Sequence, residues 1–135
     1  MSHYSQVQIE FLDELALIAA LERMGFKGKV EVHQTPQPLF GYQGDVRPQK
    51  AHIIIRREHV GQAANDLGFE RQPDGRYRAW VSDYDQTYNS YNAVWLGRLK
   101  QAYGVEKARA EAKKKGYRVS EQKLQDGRIR LVCRR

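Results

Sequence analysis

An α+β fold, with a mixed or antiparallel sheet and helices packed on one face, is predicted by three features of this 135-residue sequence. Short runs of alternating apolar and polar residues recur along the chain, as half-buried strands require. Longer segments between them carry helical spacing. Two Asp-Gly pairs, Asp74-Gly75 and Asp126-Gly127, each lie between alternating runs and mark tight hairpins. The mixture of β-α-β and α-β-β pieces is ferredoxin-like in the broad sense.

Val7 and Ile9 alternate with Gln6, Gln8 and Glu10, which predicts a first strand. A helix follows over about 12–24. Its apolar residues surround most of the axis, so burial on more than one side is expected. Gly25 is placed to end it in a left-handed conformation. The segment 29–33 alternates as a second strand. Three of the four prolines (Pro36, Pro38, Pro48) fall in 35–50 with Gly41 and Gly44. That stretch reads as an irregular loop, with a short hairpin near Phe40 and Tyr42.

Ile53, Ile54 and Ile55 predict a central strand over 51–56, covered on both faces. A short helix over 59–67 is expected to end at Gly68. Strands at 69–71 and 76–81 flank Pro73-Asp74-Gly75. The tyrosine-rich stretch 82–90 then leads into a basic helical region at 92–116, with Gly104 as a candidate break. A final hairpin pairs 117–123 with 128–133. The sequences Leu67-Gly68-Phe69 and Lys115-Gly116-Tyr117 each precede an Asp-Gly-Arg turn. This is either a weak internal repeat or the recurrence of common turn chemistry.

One domain over 1–135 is the natural expectation for this length. A mean hydropathy of −0.75 and 29% charged residues suit a soluble globular chain. The single cysteine, Cys133, excludes an internal disulfide. No apolar run approaches the roughly 20 residues of a membrane helix. The first residues carry no signal-peptide pattern. A cytoplasmic protein without a membrane role is expected. The formal charge is +7, and a basic surface of that kind attracts nucleic acid, acidic proteins or anionic lipid heads. Between Gly97 and Arg118 eight basic residues face two acidic ones, a local charge of +6.

No catalytic motif emerges, and no cofactor or metal is expected. The four histidines, His3, His33, His52 and His59, make no i, i+4 pair. Asp83 and Asp85 could do acid-base work or hold a cation, but adjacent acids after a strand also cap helices. Gly41-Tyr42-Gln43-Gly44 lacks the Gly-Lys-Ser/Thr end of a phosphate loop. Alternation places Cys133 with Ile129 and Leu131 on a core face, where a thiol is inert.

The same alternation gives the strongest binding argument. Tyr77, Ala79 and Val81 share one face of their strand, with Arg76, Arg78 and Trp80 on the other. In the last strand Arg128, Arg130 and Val132 share the outer face. Arginine with an exposed aromatic on a sheet suits single-stranded nucleic acid. Two arrangements fit: Trp80 is an open stacking platform, or it packs beneath the long helix. The candidate anionic-partner residues are Arg76, Arg78, Trp80, Lys107, Lys113, Lys114, Lys115, Arg128 and Arg130. A second candidate surface is a partner-binding loop region with Phe40, Tyr42, Tyr84, Tyr88 and Tyr91. A third is a pocket where His52, His59, Asp83 and Asp85 converge.

Several pieces taken in order resemble one known family. They are Met1-Ser2-His3-Tyr4-Ser5, Gly41-Tyr42-Gln43-Gly44, the strand 51–56, and Leu67-Gly68-Phe69 before Asp74-Gly75-Arg76-Tyr77. Gly116-Tyr117 leading to Asp126-Gly127-Arg128-Ile129-Arg130-Leu131-Val132 completes the set. The chain resembles the uncharacterised family called hypothetical chloroplast open reading frame thirty-five, of cyanobacteria and algal plastids. The resemblance implies a cytosolic or stromal protein with no established activity. The +6 segment and the Arg76/Arg78 and Arg128/Arg130 strand faces make a non-enzymatic binding module for nucleic acid or an acidic protein the expected function. The alternatives are an accessory subunit of a larger assembly or a small ligand-binding protein or enzyme.

Overall fold

The computed structural model describes residues 3–135, apart from the side chains of Gln8, Ile9 and Glu10, so the expected inward turn of Ile9 lies outside the described residues. The first strand, β1 (Tyr4–Phe11), is followed by α1 (Glu14–Leu21) and a wide helical turn, Glu22–Phe26. Next come β2 (Val30–Phe40), β3 (Val46–Ile55), the single-turn α2 (Arg57–Val60), β4 (Leu67–Arg71) and β5 (Tyr77–Ser82). The chain then forms α3 (Asp83–Tyr88), α4 (Ala93–Lys114), β6 (Arg118–Lys123) and β7 (Ile129–Arg134). The fold is α+β. A five-stranded sheet runs β1-β5-β4-β3-β2 with every neighbouring pair antiparallel, and β6-β7 forms a separate ribbon.

The strand order follows from chain economy. β2 to β5 meander through consecutive hairpin-like connections, as sequence neighbours tend to do. β1 lies beside β5 at the far edge, so α1 carries the chain from one edge of the sheet to the other. Crossing there, it buries Ala16, Leu17, Ala20 and Leu21 against the sheet and α4. It is buried on one side only, because Leu15 on the other side is 78% exposed. The helix starts at Glu14 rather than near Leu12: the Asp13 side chain accepts from the Ala16 amide at 3.1 Å and caps it.

The larger core joins Phe11, Leu17, Leu21, Ile53, Ile55, Phe69, Tyr77, Ala79 and Val81 to Leu96, Leu99 and Ala102 of α4. Each fully buried Leu, Ile or Phe contributes about 1.5–3 kcal/mol of transfer free energy. A smaller cluster of Leu39, Ala51 and Ile54, with Tyr4 and Trp80 packed on it, fills a second site. Gly68 enables that cluster. A Cβ there would meet Ala51 Cβ at 2.7 Å and Leu39 Cδ2 at 2.9 Å, so Gly68 is a close-packing residue inside β4, not a helix cap.

The segment 35–50 is not an irregular loop. It forms the outer parts of β2 and β3 around a short turn. Its prolines are compatible with strands because β2 is an edge strand, and β3 pairs with β4 only over Ile53–Ile55. Pro36, Pro38 and Pro48 thus lie where a missing N–H breaks no ladder on the open side. Register moves from Val32↔Ile53 to Gln37↔Ala51, so β2 carries three extra residues at a bulge.

The expected helix over 59–67 shrinks to α2. Beyond it the backbone is committed elsewhere: the Asn65 amide donates to Asp85 Oδ2 at 3.0 Å, and the Asp66 amide donates to the Phe40 carbonyl at 2.9 Å. α4 runs through Gly104 without a break. The two Asp-Gly turns are alike in atomic detail. Gly75 N donates to Gln72 O at 2.8 Å, and Gly127 N to Leu124 O at 3.0 Å. Asp74 and Asp126 each accept from the following arginine amide at 3.0 Å. Yet one hairpin joins the main sheet and the other stands apart, so the likeness is confined to the turns.

Candidate nucleic-acid interface

α4 and the β6–β7 ribbon form the basic part of the molecule. Residues 97–135 hold 13 Lys and Arg against 4 Asp and Glu, a charge of +9, which leaves −2 on the first 96 residues. The positive excess therefore belongs wholly to this unit. Asn92 starts α4 by accepting from Val94 N at 3.0 Å and Trp95 N at 3.2 Å. Leu96, Leu99, Ala102 and Val105 recur at helical spacing and hold it on the core. Lys113 and Lys114 lie in its last turn, where cations complement the helix dipole. Lys100, Lys107 and Lys114 are exposed and seven residues apart, so they line one side of the helix.

The ribbon docks on α4 through charge as well as apolar contact. Arg23 donates to Glu106 at 2.7 Å and to Glu121 at 2.7 Å, and Arg109 donates to Glu121 at 2.8 Å. Gln101 Nε2 donates to the Gly127 carbonyl at 2.9 Å. The bond from Arg23 holds the Glu121 carboxyl below its ordinary range, against a smaller opposing effect of burial. A groove of about 790 Å³ opens between α4 and the ribbon turn, with Arg23, Arg98, Lys123 and Arg128 on its walls. Arg23 is occupied by its carboxylates, and Arg128 by Asp126 at 2.6 Å. Arg98 and Lys123 carry no ion pair among the described residues.

Cross-strand pairing sorts the ribbon into two faces. Val119, Glu121, Lys123, Ile129, Leu131 and Cys133 form the face toward α4. Arg118 opposes Arg134, Ser120 opposes Val132, and Gln122 opposes Arg130 on the outer face. All of these outer residues except Val132 are exposed. Cys133 is exposed, not a core residue: its face is the inward one, but it lies at the strand end beyond effective cover.

Arg76, just before β5, and Arg78, within it, do not join this surface. Trp80 packs on the Leu39–Ala51–Ile54 cluster, and its indole N–H donates to Glu70 Oε1 at 2.9 Å. It is neither an open platform nor a residue beneath α4. Arg78 is half-buried, and its Nε atom has no partner. Arg76 approaches Asp74 at 3.9 Å. Arg130 and Trp80 belong to different sheets. Sequence reasoning missed Arg118 and Arg134, the one like-charged pair that strand register sets face to face in the ribbon. The signal was present: running both alternations outward from the Asp126-Gly127 turn pairs them.

The tyrosine-rich region is divided. Tyr91 is buried, donates to the Val60 carbonyl at 2.7 Å and stacks edge-on to Trp95, so it is a core residue rather than a partner contact. Phe40 is half-buried under the Arg56 guanidinium, 5.2 Å from its ring centre. Tyr42, Tyr84 and Tyr88 line a groove of about 570 Å³ with His3, Asp83 and Thr87. Beneath it Asp85, 2% exposed, accepts from Ser82 Oγ at 2.7 Å and Asn89 Nδ2 at 2.8 Å. Ser82 in turn caps α3 by accepting from the Asp85 amide. Asp66, also buried, accepts from Phe40 N and Arg57 N at 2.7 Å and from Arg56 at 2.8 Å. These carboxylates tie loops together. Neither His52 nor His59 joins Asp83 and Asp85: His52 lines another groove with Glu70 and Arg71, and His59 is exposed on α2. No group of three or more His, Cys, Asp or Glu among the described residues could hold a metal ion.

These features define an α+β protein whose antiparallel sheet carries helices and whose C-terminal helix and ribbon concentrate its positive charge. The chain belongs to the family described as "Protein of unknown function (DUF1257)", whose model matches residues 20–132. It is also similar to the "Uncharacterized protein ycf35" of Cyanophora paradoxa, at 29% identity over 139 aligned residues covering 100% of this chain and 98% of that one. That likeness agrees with the plastid open-reading-frame family suggested by the sequence. No solved structure matches the chain. No helix among the described residues is long and apolar enough to cross a membrane.

Proposed function

We infer that the protein is a non-enzymatic binding module whose basic helix–ribbon unit engages an anionic partner, with nucleic acid favoured over an acidic protein. One observation carries the reading. The acids of the unit are all paired: Glu111, Glu121 and Asp126 within it, and Glu106 with Arg23 beside it. Arg98, Lys100, Lys107, Arg118, Lys123, Arg130 and Arg134 are left exposed without an ion pair among the described residues. A surface with its acids neutralised and its cations free suits a polyanion. The cytoplasm or plastid stroma is where such a module would act. The test is an anisotropy titration of the full chain against duplex and single-stranded nucleic acid at several salt concentrations. Binding that weakens linearly in log–log salt, with a slope of about −0.9 per phosphate neutralised, is expected. No binding at low salt rejects nucleic acid; binding only to an acidic polypeptide would leave the protein partner in its place.

A second reading, as an accessory subunit of an assembly, draws on the other groove. Tyr88 there is 72% exposed and Tyr42 is 42% exposed, and such aromatics suit protein interfaces. A stoichiometric partner that co-purifies with the native chain and is lost from a Tyr42→Ala/Tyr88→Ala chain supports it. Unchanged recovery in the variant rejects this surface.

A further inference from the structure

We propose that the β6–β7 ribbon enters the major groove of duplex DNA with its outer face. This deepens the binding reading above and rests on it. Three independent features of the ribbon lead there.

The first is the chemistry of the face. Register brings Arg118, Gln122, Arg130 and Arg134 to one side, with Ser120 and Val132 between them. Arginine and glutamine are the side chains that make paired hydrogen bonds to guanine and adenine edges. No acidic residue shares the face: Glu121 turns inward to Arg23 and Arg109, and Asp126 is held by Arg128 in the turn.

The second is an unrelieved repulsion. Arg118 and Arg134 are direct cross-strand partners, and like charges so placed destabilise a sheet. Neither has an ion pair or side-chain hydrogen bond among the described residues. The fold offers no reason for that pair, whereas a polyanion laid on the face supplies the missing counter-charge.

The third is shape. The ribbon is covered by α4 on one face only, and two strands about 4.8 Å apart are narrow enough for a major groove about 12 Å wide. Outward residues advance about 6.8 Å at each second position, close to two base-pair steps of about 3.4 Å. The narrow major groove of an RNA duplex does not admit such a ribbon. Lys113, Lys114 and Lys115 precede β6 and are exposed, ready to contact the flanking phosphates.

The experiment titrates the full chain against a labelled mixed-sequence DNA duplex, the RNA duplex of the same sequence and the single DNA strand. It adds dimethyl sulfate protection of guanine N7, an atom of the major-groove edge. The DNA duplex is expected to bind tighter than the RNA duplex, and guanines are expected to be protected. Arg130→Ala and Arg118→Ala/Arg134→Ala should each weaken duplex binding at least about tenfold and abolish protection. Lys107→Ala/Lys114→Ala should weaken all three ligands by a similar, smaller factor and leave protection in place. Ribbon variants with native affinity, or equal RNA and DNA binding without protection, overturn the ribbon proposal and leave the binding reading standing. No binding to any of the three overturns both the ribbon proposal and the nucleic-acid half of the binding reading. All the substituted side chains are exposed, and circular dichroism confirms that each variant is folded before it is titrated.

Discussion

Gly68 shows how one residue links the two apolar clusters. It stands in β4 between Phe69, which faces the large core, and the site where Leu39 and Ala51 close over the sheet. A methyl group there would overlap Ala51 Cβ at 2.7 Å, and neither that atom nor the fully buried Leu39 has room to withdraw. Overpacking of this kind costs about 1–3 kcal/mol. Gly68→Ala is therefore expected to lower stability by about that much in urea unfolding, with the m-value unchanged. An effect below about 0.5 kcal/mol would mean that the Leu39 cluster is loosely packed. The sequence marked Gly68 as important for the wrong reason. Helix-ending glycines and close-packing glycines look alike in one dimension, and only the pairing of Gly68 with Ile54 distinguishes them.

At the level of elements, the ribbon should be the least stable part of the fold. A two-stranded hairpin is marginal alone, and no residue of β6 or β7 is fully buried. Its attachment depends on Glu121, which receives both Arg23 and Arg109. Native-state hydrogen exchange should open the ribbon amides at lower free energy than those of Ile53–Ile55 or Tyr77–Val81. Glu121→Gln should widen that gap while leaving the sheet unchanged; equal protection in both regions would show one cooperative unit. Elements set by local chemistry were legible in the sequence, including the hairpin turns and α4; the start of α3 was too, although its cap is Ser82 and not the aspartates that follow. The bent β2–β3 hairpin was not, because prolines signal a loop unless edge position is known. Nor was the separation of the ribbon from the main sheet, since alternation gives the face of a strand but not its neighbours. The candidate site was half legible for the same reason. Charge counting located α4 and alternation located Arg130, but Arg78 and Trp80 belong to another sheet.

For the whole molecule, buried and paired titratable groups predict a stability plateau with distinct causes at its two ends. On the acid side, burial and the Arg71 charge hold the His52 imidazole below its usual 6.5, and its Nδ1 accepts the Arg71 amide at 3.0 Å. The unfolded chain protonates first, so stability must begin to fall as the pH drops below about 6.5. A second loss comes below about 4.5. The Arg56 bond keeps Glu31 ionised, and the Arg23 bond does the same for Glu121, so the unfolded state again binds protons more readily. On the alkaline side, burial and the nearby Asp66 charge raise the Tyr4 hydroxyl; burial raises Tyr77 and Tyr91 as well. These groups stay neutral in the fold while the unfolded chain ionises, so stability is intact below about 10 and falls above it. Thermal unfolding from pH 4 to pH 11 should thus give a plateau between roughly 6.5 and 10. His52→Asn, whose amide oxygen can accept from Arg71, should remove the first acid step and leave the step near 4.5 in place. If the step near 6.5 persists in that variant, His52 is not its source.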